Sequence, residues 1–366
     1  MCEEQQVKVS TRKRGLRGLA LLGAAGMVLV GCAAAPEAGK TPDAEKADFL
    51  GCAVSDEGSW NDKSFNEAAY DGLLKAKDEL GIKMADAESQ STEDFTPNLD
   101  QMVSAGCDVT FAVGFNLIDA VNATAVANPK LNFVTIDGYV ADETTTNLKP
   151  ITYSMEQSSY LAGYLAAAYS TSKVVGTYGG LDIPAVTAFM DGFYYGAKAY
   201  ETETGTAVTV LGRDPIAGTG DFTDPKTNFG DTEGAKSISA GQIAQGADVI
   251  FPVAGGLFSS TAEAITESGT PAVFIGVDKD IAVTSPEYAD LVLTSVEKRM
   301  TQAVFDVIEA TMADGFSAEA YVGTLENDGT ALSDFGAYDS KVPDEIKAKL
   351  AELTAGIIDG SIDPLS

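Results

Sequence analysis

Short apolar runs alternate with amphipathic segments from about residue 48 to residue 312, and this alternation restricts the chain to one fold class. Residues 48–54, 82–87, 108–113 and 132–136 have strand length and apolar character. Between them, residues 65–80, 97–105 and 117–127 carry helical periodicity, with Phe65, Ala69, Leu73, Ala76 and Leu80 on one stripe. The series resumes after residues 151–154, with strands expected at 174–178, 207–211, 249–253, 272–277 and 291–294. Helices are expected at 158–169, 186–200, 235–245, 261–267 and 300–312. Strands separated by helices of this length build βαβ units and parallel sheets. Two such series, each too short for a closed barrel, predict an α/β protein of two doubly wound lobes. Ligands of open parallel sheets sit beyond the carboxyl ends of the strands. The unusual residues gather at those ends: Ser55-Asp56, Gly114-Phe115-Asn116 and Asp137-Gly138 in the first half, and Gly179-Gly180, Ala254-Gly255-Gly256 and Gly276-Val277-Asp278 in the second.

The N-terminus carries a second constraint. Arg12-Lys13-Arg14 precedes an apolar stretch that ends in Leu29-Val30-Gly31-Cys32. A basic region, about a dozen apolar residues and a small-residue cleavage site make an export signal. The stretch is too short to span about 30 Å of hydrocarbon. Leu-Val-Gly-Cys has the form of a lipobox, so residues 1–31 read as a lipoprotein signal peptide and Cys32 as the acylated first residue of the mature chain. Residues 32–46, small, polar and interrupted by Pro36 and Pro42, read as a flexible tether. The expected location is the outer face of the cytoplasmic membrane, with lipid as the only membrane contact.

A net charge of −30 without a basic block repels phosphate backbones and anionic headgroups, which excludes nucleic acid as a partner. The absence of histidine removes Ser-His-Asp and Cys-His catalysis and histidine metal sites. Neither a cofactor nor a metal is expected, and no catalytic residue is assigned. Cys52 and Cys107 would both lie outside the reducing compartment, which invites a disulfide. The strand reading argues against one: an offset of about four residues between neighbouring parallel strands is roughly 13 Å at about 3.3 Å per residue, beyond disulfide reach.

The densest polar segment is Ser55-Asp56-Glu57-Gly58-Ser59-Trp60-Asn61-Asp62-Lys63-Ser64-Phe65-Asn66. Asp62 or Ser64 as a helix cap accounts for one of these residues, but not for Asp56, Trp60, Phe65 and Asn66 together. With Gly114-Phe115, Ile136-Asp137-Gly138, Leu161-Ala162-Gly163, Gly179-Gly180 with Ile183-Pro184, residues 245–251, Ala254-Gly255-Gly256, Ile275-Gly276-Val277-Asp278 and Leu293-Thr294-Ser295 followed by Lys298, the segment resembles the basic membrane protein family. These are PnrA-like lipoproteins that serve ABC importers of purine nucleosides, and the resemblance covers residues 47–330 in unchanged order.

The resemblance implies a type I periplasmic-binding-protein fold whose two lobes, joined by a hinge, close on a nucleoside. The first lobe is expected to comprise 47–154 with 279–316, and the second 155–278 with 317–366. Asp56 would accept hydrogen bonds from the purine, Phe65 would stack on one face of the base, and Asn66 and Asp137 would line the first lobe's side of the cleft. Phe229, preceding Asp231, Gly234 and Lys236, would be the second stacking aromatic, although an apparent insertion at 216–228 makes Phe222 its rival. Gly256, Asp278 and Lys298 would contact the ribose and nearby polar atoms. The chemistry is consistent: a purine offers flat faces and a polar edge, and a ribose offers vicinal hydroxyls that one carboxylate can accept. More ordinary roles exist, with Phe229 anchoring a loop, Asp278 capping a helix and Lys298 pairing with a surface acid. The implied function is nucleoside capture by a monomer that delivers to an ABC permease and its ATPase. A sugar or polyol receptor is the alternative, followed by a nucleoside-cleaving enzyme or a surface sensor.

Overall fold

The computed structural model describes residues 48–366. The leader, Cys32 and the tether lie outside the described residues. The chain first lays down β1 (Leu50–Ser55), α1 (Phe65–Leu80), β2 (Lys83–Ala87), α2 (Phe95–Ala105), β3 (Val109–Val113), α3 (Ile118–Ala127), β4 (Phe133–Ile136) and β5 (Leu148–Tyr153). It continues with α4 (Met155–Tyr169), β6 (Val174–Gly179), α5 (Pro184–Thr204) and β7 (Thr209–Leu211). A small hairpin follows, made of β8 (Arg213–Asp214) and β9 (Thr219–Gly220). Then come α6 (Thr232–Ala244), β10 (Val249–Val253), α7 (Phe258–Ser268), β11 (Val273–Asp278), the single turn α8 (Ile281–Thr284) and β12 (Val292–Lys298). The last elements are α9 (Met300–Asp314), β13 (Tyr321–Gly323), β14 (Thr330–Leu332) and α10 (Asp344–Ile358).

Two six-stranded sheets result, in the orders β13-β5-β4-β3-β1-β2 and β14-β12-β11-β10-β6-β7. All pairings in the first are parallel, and in the second only β14 runs antiparallel, against β12. Helices cover both faces of each sheet, which is why β1, β3, β4, β10 and β11 are almost wholly buried and read as continuous apolar runs. Each sheet with its helices is one lobe of the expected doubly wound pair. In the second lobe α4 and α5 pack backbone to backbone: a Cβ at Gly192 would collide with the backbone of Glu156, and one at Gly196 with that of Tyr160. That close approach fixes α5, whose first turns reach the cleft.

The lobe boundaries differ from the expectation. β12 pairs with β11, so residues 279–298 remain in the second lobe, and the chain returns to the first only at α9, which packs on α1. Residues 317–366 are also divided, because β13 pairs with β5 while β14 and α10 join the second lobe. The connection from β11 to β12 contains only one α-turn, too little helix to signal another βα unit in the sequence. The three-residue β13 gave no periodicity to read. The chain therefore crosses between lobes after Tyr153, after Lys298 and after Gly323.

The expectation against a disulfide is also corrected: Cys52 and Cys107 are bridged, with Cα atoms 6.0 Å apart. Cys52 is opposite Thr110 in the β1–β3 register. Cys107, however, precedes β3, on the turn that leaves α2 through Gly106. It reaches the sheet from the helix layer, so a distance measured along the strand does not apply.

Candidate functional site

The carboxyl ends of both sheets face each other across one cavity of about 720 Å³. All eight residues expected at the site (Asp56, Phe65, Asn66, Asp137, Phe229, Gly256, Asp278 and Lys298) line it. Phe222 does not. Its ring packs against Gly179, which it also joins through an isolated β-bridge, while Phe229 lies over Gly180 at the cavity wall. Trp60 turns away from the cavity, stacking on Tyr70 at 5.0 Å and donating its indole N–H to Asp86.

The first lobe's wall grows from the β1–α1 loop. Asp62 caps α1 by accepting the backbone N–H groups of Ser64 (2.8 Å), Asn66 (2.9 Å) and Glu67 (3.1 Å). Ser64 is free for a different bond: its hydroxyl donates across the cleft to Asp278 Oδ2 at 2.6 Å. The capped turn holds Phe65 and Asn66 toward the cavity. Asn66 donates Nδ2–H to Asp56 Oδ1 (2.9 Å), and its own Oδ1 is buried without a partner. Gly114, at a φ of 117° that a side chain rarely adopts, leaves the space that the Asp56 carboxyl fills.

Asp137 and Asp278 end equivalent strands of the two sheets, and both have left-handed backbone, φ 59° and 68°. They do not share one role. Asp137 accepts from Lys298 Nζ at 2.6 Å in an ion pair whose side chains are 9% and 3% exposed. Lys298 therefore pairs with a buried acid of the opposite lobe, not with a surface one. Its ammonium also lies 5.1 Å from the Phe65 ring, 5.2 Å from Phe189 and 5.5 Å from Tyr153. Asp278 caps no helix, that role at α8 falling to Asp280.

Burial raises the Asp278 carboxyl to about 6 even with Lys298 and Ser64 holding it down. Burial likewise raises Asp56 to about 7, against the Gly58 N–H and the Asn66 amide. Asp62 is raised by burial as well, with the amides of its capped turn opposing. A second interlobe bridge lies outside the cavity, where Lys279 contacts Glu67 at 2.8 Å and Asp71 at 2.7 Å. These bonds all cross between the lobes.

Sequence reasoning missed the apolar floor. Val186 and Phe189 reach the cavity from the start of α5, next to Ile183 of the matched Ile183-Pro184 pair, but in sequence they are indistinguishable from the stripe that packs on the sheet. Gln90, Ser91 and Thr92 also line it, from the connection that follows β2. Among the described residues, no group of three or more metal-ligating side chains converges, and no helix is long and apolar enough to cross a membrane.

The family model described as ABC transporter substrate-binding protein PnrA-like matches residues 49–347. The ABC transporter nucleoside-binding protein BmpA of Lactococcus lactis is 30% identical, over 96% of this chain and 98% of its own length. An uncharacterised lipoprotein of Pyrococcus abyssi is 30% identical, over 81% of this chain and 71% of its own. Among solved structures, a solute-binding protein of an ABC transporter system from Aeropyrum pernix superposes with a TM-score of 0.75, at 23% identity, covering 86% of this chain and 92% of that one. That likeness identifies the fold as type I.

Proposed function

The chain belongs to the Bmp family of PnrA-like substrate-binding proteins of ABC transporters, and from that premise we propose that it captures purine nucleosides in the interlobe cavity. In this reading Phe65 and Phe229, brought from opposite lobes, hold the faces of the base. Asp56 and Asn66 meet its polar edge. Asp278, with Gly256 nearby and the Asp137–Lys298 pair behind it, accepts the ribose hydroxyls. The observation that carries the proposal is the division of one cavity into aromatic walls, a polar edge at Asp56, and a second buried carboxylate, Asp278. A base and a sugar joined in one molecule require that division. The family model and the named relative are described as binding proteins, and the ligand is accordingly expected to leave intact. The named relative's nucleoside binding supports the ligand class.

Calorimetric titration tests it. Phe65→Ala and Phe229→Ala are each expected to lose about 1–3 kcal/mol, roughly a fivefold to 150-fold weakening for inosine or guanosine. Phe222→Ala should leave affinity nearly unchanged. Asp278→Ala should weaken ribosides more than 2′-deoxyribosides, because only the riboside offers a second hydroxyl. A large loss in Phe222→Ala with none in Phe229→Ala would exchange their roles, and intact binding in Phe65→Ala and Asp278→Ala would refute the nucleoside reading.

The lipobox at Leu29-Val30-Gly31-Cys32 and the relative named as a lipoprotein support anchoring through Cys32 at the outer face of the cytoplasmic membrane, and the family description supports delivery to an ABC permease that its ATPase drives. Cys32→Ala is expected to move the protein from the membrane fraction to the soluble one and to remove the acyl mass. Unchanged fractionation and mass would overturn the anchor.

A further inference from the structure

Asp56 is held asymmetrically. Oδ1 accepts the Gly58 N–H at 3.0 Å and the Asn66 amide at 2.9 Å. Among the described residues no donor reaches Oδ2, which lies beside Gly114 at the cavity wall. The titratable neighbours are Glu57 and Asp62, both acidic and from its own loop. Asn66 from α1 and Gly114 from the end of β3 are uncharged. The nearby cations are engaged elsewhere, Lys298 with Asp137 and Lys63 with Asn61 and Glu67. Asp56 is thus a buried carboxyl without a cation, and one of its oxygens is open to whatever enters the cleft.

We propose, resting on the nucleoside reading above, that the proton on Asp56 Oδ2 selects the purine: the carboxylate accepts the N1–H and N2–H donors of guanosine, and the acid donates its O–H to N1 of adenosine. In the acid state Asp56 offers a donor, the complement of the unprotonated N1 of adenosine. In the carboxylate state it offers an acceptor only, the complement of the N1–H and N2–H donors of guanine. Both states are accessible near neutral pH because burial raises the Asp56 carboxyl to about 7. The proton exchanges with solvent, and no bond other than O–H is made or broken.

The sign follows from linkage. A ligand that needs the carboxylate binds fully above pH 7 and loses up to tenfold per unit below it, whereas a ligand that needs the acid does the reverse. The ratio of guanosine to adenosine affinity should therefore rise up to about 100-fold between pH 6 and pH 8. Asp278, which also titrates near this range, faces the sugar in this reading; the sugar is common to both ligands, so its effect cancels in the ratio.

Calorimetric titration of the full chain with guanosine and adenosine across that window measures the ratio. Asp56→Asn sets an amide N–H₂ where the proton would sit, and should favour adenosine at every pH with a flat ratio. A flat ratio in the parent protein while both nucleosides bind would overturn the proposal, as would a ratio that still slopes in Asp56→Asn. Binding of neither nucleoside at any pH would overturn the nucleoside reading itself, and this inference with it.

Discussion

Lys298→Met should weaken capture of the proposed nucleoside ligand between about a hundredfold and several thousandfold while leaving the melting temperature of the ligand-free protein within a few degrees of the parent. Lys298 ends β12 in the second lobe, and its ammonium is 2.6 Å from Asp137 at the end of β4 in the first. Both side chains are nearly inaccessible. Removing one partner of a buried ion pair costs about 3–5 kcal/mol, because the other charge is left without water or counterion. At about 1.4 kcal/mol per decade this gives the range stated.

The cost falls on closure because the pair spans the lobes: opening them returns Asp137 to water, so the open unliganded protein escapes the penalty and the closed liganded one bears it. Asp278 adds a pH dependence. Its folded-state value of about 6 stands above the ordinary 3.8, and Lys298, followed by the Ser64 hydroxyl, holds it from rising further. A raised carboxyl disfavours the closed state once pH exceeds the ordinary value, and it does so fully above the raised one. The deficit of Lys298→Met should therefore be largest near pH 8 and shrink toward pH 5, where Asp278 becomes neutral. Asp137→Asn combined with Lys298→Met should recover part of the loss. Titrations that put Lys298→Met within threefold of the parent at pH 8 would show that the pair does not hold the cleft closed.

The sequence made the strands, the helices and the strand-end residues legible for one physical reason. β1, with Cys52, Ala53 and Val54 fully buried, reads as an apolar run because helices cover both sheet faces, and polar residues resume where that cover ends, at Asp56, Asp137 and Asp278. The partnerships across the cleft were not legible. Ser64 and Asp278 are 214 residues apart, and Asp137 and Lys298 are 161 apart; local periodicity carries no information about such pairs. Ser64 looked like a helix cap by residue type. Asp62 took that role because its two carboxylate oxygens reach three backbone amides, and Ser64 was left to bridge the lobes. Phe189 and Val186 stayed hidden because an apolar cavity wall and an apolar core have the same composition. β12 was assigned to the wrong lobe because its connection from β11 contains almost no helix.

The disulfide was missed by geometry and has a large expected effect. Cys52 and Cys107 are 0% and 2% exposed, packed among Val54, Leu99, Met102, Val121 and Phe133. Reduction leaves two buried thiols that pack as small apolar groups, so the native state loses little. The unfolded state gains most: the bridge closes a loop with a sequence separation of 55, and the chain-entropy relation assigns about 4 kcal/mol to a loop of that length. For a cooperative unit of about 150–250 residues, each kcal/mol moves the melting temperature by about 2–4 °C. Cys52→Ala with Cys107→Ala, or reduction of the parent, should accordingly lower it by about 8–16 °C.

Function should separate from stability. The loop closed by the bridge carries Asp56, Phe65 and Asn66, but neither cysteine lines the cavity. Nucleoside affinity measured well below the transition should therefore stay within about twofold. Calorimetric melting with and without reductant, alongside titration at 25 °C, reads both quantities. A melting shift under 2 °C would mean the unfolded chain already holds these segments together. A large fall in affinity at unchanged helix content would mean that the bridge shapes the Asp56–Asn66 wall and does more than tether it.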